Sequence, residues 1–250
     1  HAPAALRHLL DIYQQEKEWD KAIQVARRLE SLRAGHMHPV VAQFHCELAE
    51  AALAHGDAAG ATRQLKRALN HDPSCVRASL LQARLAREAD DQRTAIQVLK
   101  RIEKQDIDFL PEALPELKAG YAALGAEAEL IAYLGDVVRR YQGVTPALML
   151  SELIEAEEGP RAAVDFLTGY LRQRPSIRGL ERMIHLDLQT SEGRAREDLL
   201  LLRDLTGRLL ENRPRYRCHN CGFEARALHW QCPSCKQWNR IKPIYGLEGE

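Results

Sequence analysis

The sequence predicts a mostly α-helical chain in which a repeated helix pair is followed by a small metal-binding module. Three observations lead to this fold class. The composition suits helices, small apolar residues recur at helical spacing, and four of the six cysteines form two Cys-x-x-Cys pairs between residues 218 and 235. We therefore expect two domains, a helical body over residues 1–211 and a cysteine module over residues 212–250.

The composition favours helices packed against helices. Aromatic residues make up only 6% of the chain, whereas the abundant Ala, Leu, Arg and Glu are good helix formers. Thirty-five basic residues balance 35 acidic residues, so no overall charge attracts nucleic acid or an anionic membrane. The apolar run at 198–205 is far shorter than the roughly 20 residues of a membrane-spanning helix. Because the chain starts with His1 in mid-pattern, we expect the array to be truncated at its N-terminus.

The repeated unit is two helices joined by a short turn. An apolar residue is followed twelve positions later by alanine, and further apolar residues come four and seven positions after that alanine. Small residues at these positions let two helix backbones approach closely. The positions are Leu10, Ala22, Ala26 and Leu29; Ala49, Ala61, Leu65 and Ala68; Ala83, Ala95, Leu99 and Ile102; and, in a partial copy, Ala163, Leu167 and Tyr170.

This pattern resembles the tetratricopeptide (TPR) repeat, whose period is about 34 residues. The resemblance implies five to six helix pairs in a TPR-like superhelix, whose concave surface binds proteins and performs no chemistry. Arginines on that surface can bind acidic or C-terminal carboxylates bidentately. The alternative is a solvated helix face. The predicted partner-binding residues are Arg7, Arg77, Arg84 and Arg87.

The two cysteine pairs predict a metal site. Two cysteines three positions apart on a tight turn direct both sulfur atoms to one point, and two such knuckles complete a tetrahedron around an ion. The predicted ligands are Cys218, Cys221, Cys232 and Cys235. A disulfide framework is the disfavoured alternative. Cys46 and Cys75 lie singly in helical patterns, where we expect small buried thiols of a reducing compartment, with a disulfide between them as the alternative.

The stretch YRCHNCG, followed by WQCPSCKQW, resembles the rubredoxin-like zinc ribbon. Lys236 departs from the pattern, because glycine usually follows the second knuckle. The resemblance implies one metal ion. We expect Zn2+ in purified protein, with Fe2+ or Fe3+ as the alternative, since four thiolates also hold iron. The ribbon is too small to fold without a disulfide or a metal ion to crosslink it, so the ion supplies much of its folding free energy.

A TPR-like array followed by this ribbon, with the stretches RPRYRC and IKPIYGL on either side of it, resembles the lipopolysaccharide assembly protein B family. The resemblance implies a non-catalytic adaptor at the cytoplasmic face of the bacterial inner membrane, held there by an N-terminal anchor outside this chain. Members regulate lipopolysaccharide synthesis by bringing the lipid A pathway deacetylase to an FtsH-type membrane protease. Other implied partners are further lipopolysaccharide assembly factors, lipopolysaccharide itself and anionic headgroups.

Two other functions compete with the adaptor. The ribbon could carry electrons if it holds iron. It could also bind nucleic acid, because seven basic residues and one acidic residue lie between 212 and 245. We rank nucleic acid below two other partners for this basic patch, lipid headgroups and the acidic faces of the repeats. An enzyme is disfavoured, since the chain has no nucleophile elbow, zinc-protease motif or glycine-rich dinucleotide turn. The stretch His36-Met37-His38 has no matching carboxylate pair nearby in the sequence.

Overall fold

The computed structural model describes residues 2–33, 35–211 and 213–250. Helices occupy most of these residues, and a short sheet follows them. The helices are α1 Ala2–Gln15, α2 Trp19–Ser31, α3 His38–Ala54, α4 Ala58–His71, α5 Val76–Glu88, α6 Gln92–Gln105, α7 Leu110–Ala123, α8 Glu127–Arg140, α9 Thr145–Glu158, α10 Pro160–Gln173, α11 Ile177–Asp187 and α12 Gly193–Leu210, with a 3-10 turn at Ile107–Phe109. The strands are β1 Tyr216–Cys218, β2 Glu224–Ala225 and β3 Ile241–Pro243. The mostly α, TPR-like fold class is confirmed.

The chain divides into two compact units. The first ends at Ala113, and the second runs from Leu114 to Glu250, so the division falls within α7. The second unit therefore contains both the later helices and the cysteine ribbon. The predicted domain boundary at residues 211 and 212 stays a prediction, and Asn212 lies outside the described residues.

Four of the helix pairs are closed by the same kind of turn. In four hairpins the first helix ends with a residue at positive φ, and the next backbone N–H returns to a carbonyl five residues earlier, which is the hydrogen bond of a Schellman cap. This repeated cap ends the first helix and turns the chain back into the second helix of the pair. The positive-φ residues are Lys17, Gly56, Asp90 and Gly125, and the returning bonds run from Glu18 to Tyr13, Asp57 to Ala52, Asp91 to Ala86 and Ala126 to Tyr121.

The predicted apolar positions form the contacts between paired helices. Helix α3 packs against α4, α5 against α6, and α9 against α10. The alanines at the crossing points are fully buried, as the sequence spacing predicted, so the helix backbones lie close together. Buried predicted positions include Leu10, Ala22, Ala26, Leu29, Ala49, Ala61, Leu65, Ala68, Ala83, Ala95, Leu99, Ile102, Ala163, Leu167 and Tyr170.

The ribbon is a three-stranded antiparallel sheet in the order β2-β1-β3. Tyr216 lies opposite Ala225 on one side and Pro243 on the other, and Cys218 lies opposite Ile241. Its small core consists of Tyr216, Cys218, Cys232 and Ile241, with Phe223 packed beside it. So little apolar area cannot hold a fold of this size without a further stabilising element.

No helix in the described parts of the chain has the length and apolar character needed to span a bilayer.

Candidate metal centre

The four predicted cysteine ligands meet at one point of the ribbon. Their sulfur atoms all lie within 4.8 Å of one another. The Sγ atoms of Cys218 and Cys235 are 3.7 Å apart, and those of Cys221 and Cys232 are also 3.7 Å apart. A tetrahedral ion with metal–sulfur bonds of about 2.3 Å needs sulfur–sulfur separations of about 3.8 Å. The four thiols therefore fit one tetrahedral metal ion.

The two knuckles have equivalent backbone hydrogen bonds. In the first, the Gly222 N–H donates to the Cys218 carbonyl at 2.9 Å, and in the second the Lys236 N–H donates to the Cys232 carbonyl at 3.0 Å. Gly222 and Lys236 both have positive φ, 78° and 59°. Lys236 thus adopts the left-handed conformation that glycine reaches without cost. The departure from the glycine pattern changes the residue but leaves the turn intact.

Backbone donors prepare two of the sulfurs for metal binding. A hydrogen bond from the Phe223 N–H lowers the pKa of Cys221, and one from the Gln237 N–H lowers the pKa of Cys235 to about 6. Burial instead raises the pKa of Cys232 to about 11. Because the thiolate is the metal ligand, the backbone donors make Cys221 and Cys235 easier to deprotonate on metal binding, whereas burial makes Cys232 harder to deprotonate.

The ribbon is attached to the helices of its own unit through the segment that follows β3. The Ile177 N–H donates to the Leu247 carbonyl at 2.8 Å, and the Ile244 N–H donates to the Arg215 carbonyl at 2.9 Å. The Glu250 carboxylate accepts hydrogen bonds from the Thr145 hydroxyl at 2.7 Å and from Arg178 at 2.9 Å. The metal-bearing module is therefore held against α9 and α11, although no sequence motif indicated this anchor.

The four arginines predicted to bind a partner differ in their surroundings. Arg77 is only 4% exposed, and its guanidinium pairs with Glu47 at 2.7 Å and Glu50 at 2.9 Å. We correct the expectation for this residue, since its side chain links α5 to α3 instead of facing a groove. Arg84 is exposed and pairs with Glu88 at 3.0 Å. Arg7 is exposed and Arg87 half-buried; partner binding by these three residues stays a prediction.

Arg77 and Arg84, two arginines of α5, give a matched stability test. We expect Arg77→Ala to lower the free energy of unfolding of the first unit by about 3 kcal/mol, because it leaves Glu47 and Glu50 close together without their cation. Arg84→Ala should cost at most about 0.5 kcal/mol, since its ion pair is solvent-exposed. Urea unfolding, monitored by hydrogen-exchange mass spectrometry, measures the loss of stability in each variant. Equal costs would contradict a structural role for Arg77.

Cys46 and Cys75 are both buried and free. Their Sγ atoms are 3.8 Å apart, so the helix pairing brings together two residues that looked isolated in the sequence. Their hydrogen bond and burial raise the pKa of Cys46 well above its ordinary value. The expectation of small buried thiols is confirmed, and in this structure they form no disulfide.

Comparison with known proteins places the chain in a family. Residues 216–243 match the rubredoxin metal binding domain. Over 246 residues, 98% of this chain, it is 39% identical to lipopolysaccharide assembly protein B of Escherichia coli K12. The chain belongs to the lipopolysaccharide assembly protein B family. The relative from Haemophilus influenzae is 34% identical over 99% of this chain. The chain spans only 63% and 62% of the lengths of these two family members.

Among solved structures, the chain is similar to pilF of Pseudomonas aeruginosa, with a TM-score of 0.45, 18% identity, and coverage of 84% of this chain and 90% of that one. A second is the MamA protein, with a TM-score of 0.38, 16% identity, and coverage of 67% and 86%.

Proposed function

We propose that the chain is the adaptor part of a protein that acts in lipopolysaccharide assembly. The observation that carries this proposal is the 39% identity to lipopolysaccharide assembly protein B over 98% of the chain. The identity extends through the helix pairs and the ribbon together, so the relationship concerns the combination of modules and not the small ribbon alone.

A structural role for the metal supports an adaptor over an enzyme. A catalytic zinc site keeps one coordination position open for water or substrate, whereas a site with four cysteines is closed. Here all four ligands of a tetrahedron come from the protein. The ion therefore supplies folding energy to the ribbon and has no position left for a substrate. We propose Zn2+ as the ion, because closed four-cysteine sites are a common structural zinc arrangement; iron would instead indicate electron transfer.

The helical repeats supply the binding surface. In stacked helix pairs the alanines and leucines pack between neighbouring helices, and the polar helix faces remain available to partners. We propose that the partners are the lipid A pathway deacetylase and an FtsH-type membrane protease, at the cytoplasmic side of the inner membrane. By holding both, the protein would regulate lipopolysaccharide synthesis. Arg84 and Arg87 on α5 are the proposed contacts for acidic groups of one partner.

The test is a crosslinked pull-down of the full-length protein from Gram-negative cells, quantified for these two partners by mass spectrometry. We expect both partners to be recovered with the unaltered protein. The double variant Arg84→Glu, Arg87→Glu should reduce the recovery of at least one partner about tenfold, which is the effect of removing a charged hydrogen-bond pair. The matched control is Arg63→Glu with Lys66→Glu, exposed positions on α4 of the same unit, which should bind normally.

The outcomes separate two claims. If the unaltered protein recovers neither partner, the adaptor function is wrong. If it recovers both and the Arg84 and Arg87 variant does so equally well, the adaptor stands and the α5 binding surface is wrong.

A further inference from the structure

A cluster of histidines lies where α2, α3 and α4 of the first unit come together. His38 begins α3, His45 follows two turns later, and His71 ends α4. The ring centroids of His38 and His71 are 5.4 Å apart, and those of His45 and His71 are 5.5 Å apart. The exposed ring of His36 lies 5.6 Å from that of His38. The four imidazoles thus form a continuous row from the surface to the interior.

The two central rings face each other through the same nitrogen. The Nδ1 atoms of His38 and His71 are 3.2 Å apart. Two nitrogen ligands on a tetrahedral ion, each about 2.0–2.1 Å from it, lie about 3.3–3.4 Å apart. The pair therefore already has the separation that one metal ion requires, and the ring of His38 is exposed enough for an ion to enter, at 44%.

A carboxylate fixes the tautomer of His38. Its Nε2 lies 3.0 Å from the Glu30 carboxylate, which can only accept a hydrogen bond when ionised. In the neutral ring Nε2 then carries the proton, so the lone pair of Nδ1 faces Nδ1 of His71. A carboxylate bonded to the far nitrogen of a histidine is the usual outer partner of a metal-binding imidazole. Glu30 is the carboxylate that the sequence around His36-Met37-His38 did not reveal.

The ring at the buried end of the row, His45, also has a nitrogen with a lone pair. His45 Nδ1 lies 2.8 Å from the Gln64 amide oxygen, an acceptor, so Nδ1 carries the proton and Nε2 has the lone pair. His45 is only 3% exposed, and Nε2 has no hydrogen-bond partner among the described residues. Burial lowers the pKa of both His45 and His71, with Arg27 also lowering that of His71. The row therefore ends in a buried ring nitrogen next to His71 that has no hydrogen-bond partner among the described residues.

We propose that His38 and His71 form the centre of a second metal site, which binds a late first-row divalent cation such as Ni2+, Cu2+ or Zn2+ through their Nδ1 atoms. His36 is the proposed third ligand: its exposed ring lies beside that of His38 and has to turn before a nitrogen reaches the ion, whereas the hydrogen bond to Gln64 holds the ring of His45. Imidazole suits these cations better than Mg2+ or Ca2+, which prefer oxygen ligands. Glu30 is a positioning residue that orients His38.

The test uses the full chain with its four-cysteine site already filled, so that added metal reports only on the histidines. Isothermal titration with Ni2+ should show one further equivalent per chain. His38→Ala and His71→Ala should each abolish this binding, and Glu30→Gln should weaken it about 10–100-fold, the usual loss for an outer-shell partner. Circular dichroism checks that each variant stays folded. The matched control is His55→Ala, the residue that directly follows α3, whose exposed ring bonds to the Ala51 carbonyl; this variant should bind Ni2+ normally.

Two results would overturn the proposal. If the unaltered chain binds no further Ni2+, the 3.2 Å contact is a hydrogen bond between two imidazoles. If His38→Ala and His71→Ala bind Ni2+ as the unaltered chain does, any binding arises elsewhere. Unchanged affinity in His36→Ala would remove His36 as the third ligand.

Discussion

Replacing Cys232 with serine will release the metal ion and unfold residues 216–243, while the first unit stays folded. Cys232 is fully buried at the centre of the ribbon core, and its sulfur closes the tetrahedron 3.7 Å from that of Cys221. Structural zinc contributes about 10–16 kcal/mol of apparent binding free energy in small zinc modules. The ribbon core contains only a few apolar side chains and cannot replace a contribution of that size.

The measurement combines metal analysis with hydrogen-exchange mass spectrometry. We expect Cys232→Ser to lose its bound metal, and the amides of β1 and β3 to exchange as in an unfolded peptide. The control is Cys46→Ala, which removes a thiol that is equally buried but lies in the first unit. It should keep the metal and leave exchange in the ribbon unchanged. A Cys232→Ser variant with protected strands would show that the ribbon folds without its ion.

Replacing Glu250 with alanine will loosen the ribbon from the helices without removing the metal. The Glu250 side chain is only 5% exposed and pairs with Arg178 at 2.9 Å. It also accepts hydrogen bonds from the Thr145 backbone N–H at 3.1 Å and from the Thr145 hydroxyl. Removing one partner of a buried ion pair costs about 3–5 kcal/mol, and because Arg178 is 26% exposed, we expect about 2–3 kcal/mol here.

The exchange rate of the Ile177 amide, which bonds to the Leu247 carbonyl, reports this loosening directly. The matched control is Glu248→Ala, which removes an exposed pair with Arg213 and should cost no more than about 0.5 kcal/mol. Similar exchange at Ile177 in both variants would contradict the anchoring role of Glu250. Metal content should stay unchanged in both variants, since neither residue touches the cysteines.

The repeat pattern and the cysteine pairs could be predicted because both depend on local sequence spacing. An alanine twelve positions after an apolar residue fixes where two adjacent helices cross, and Ala61 and Ala95 are accordingly fully buried. Two cysteines three positions apart must share a turn, so Cys218 and Cys221 converge whatever lies around them. In each case the relevant residues are close in the chain, and the backbone geometry of a helix or turn determines their positions.

Contacts between distant parts of the chain could not be predicted in this way. The TPR resemblance placed Arg77 on the concave binding surface, but acidic residues about one repeat earlier hold it in the interior. His38 and His71 lie 33 positions apart, and Glu250 lies 105 positions from Thr145. Such pairs depend on how helices stack, which a single sequence does not specify. Charged residues in the interior are therefore the positions where sequence patterns gave the least guidance.

The most direct test of the account is X-ray absorption spectroscopy at the edge of the bound metal, on purified protein that contains one ion per chain. The account predicts four sulfur ligands at about 2.3 Å and no nitrogen or oxygen in the inner shell. The edge energy also identifies the element as zinc or iron. Nitrogen or oxygen ligands at about 2.0–2.2 Å, or fewer than four sulfurs, would contradict the proposal that the four cysteines hold the ion and so fix the ribbon.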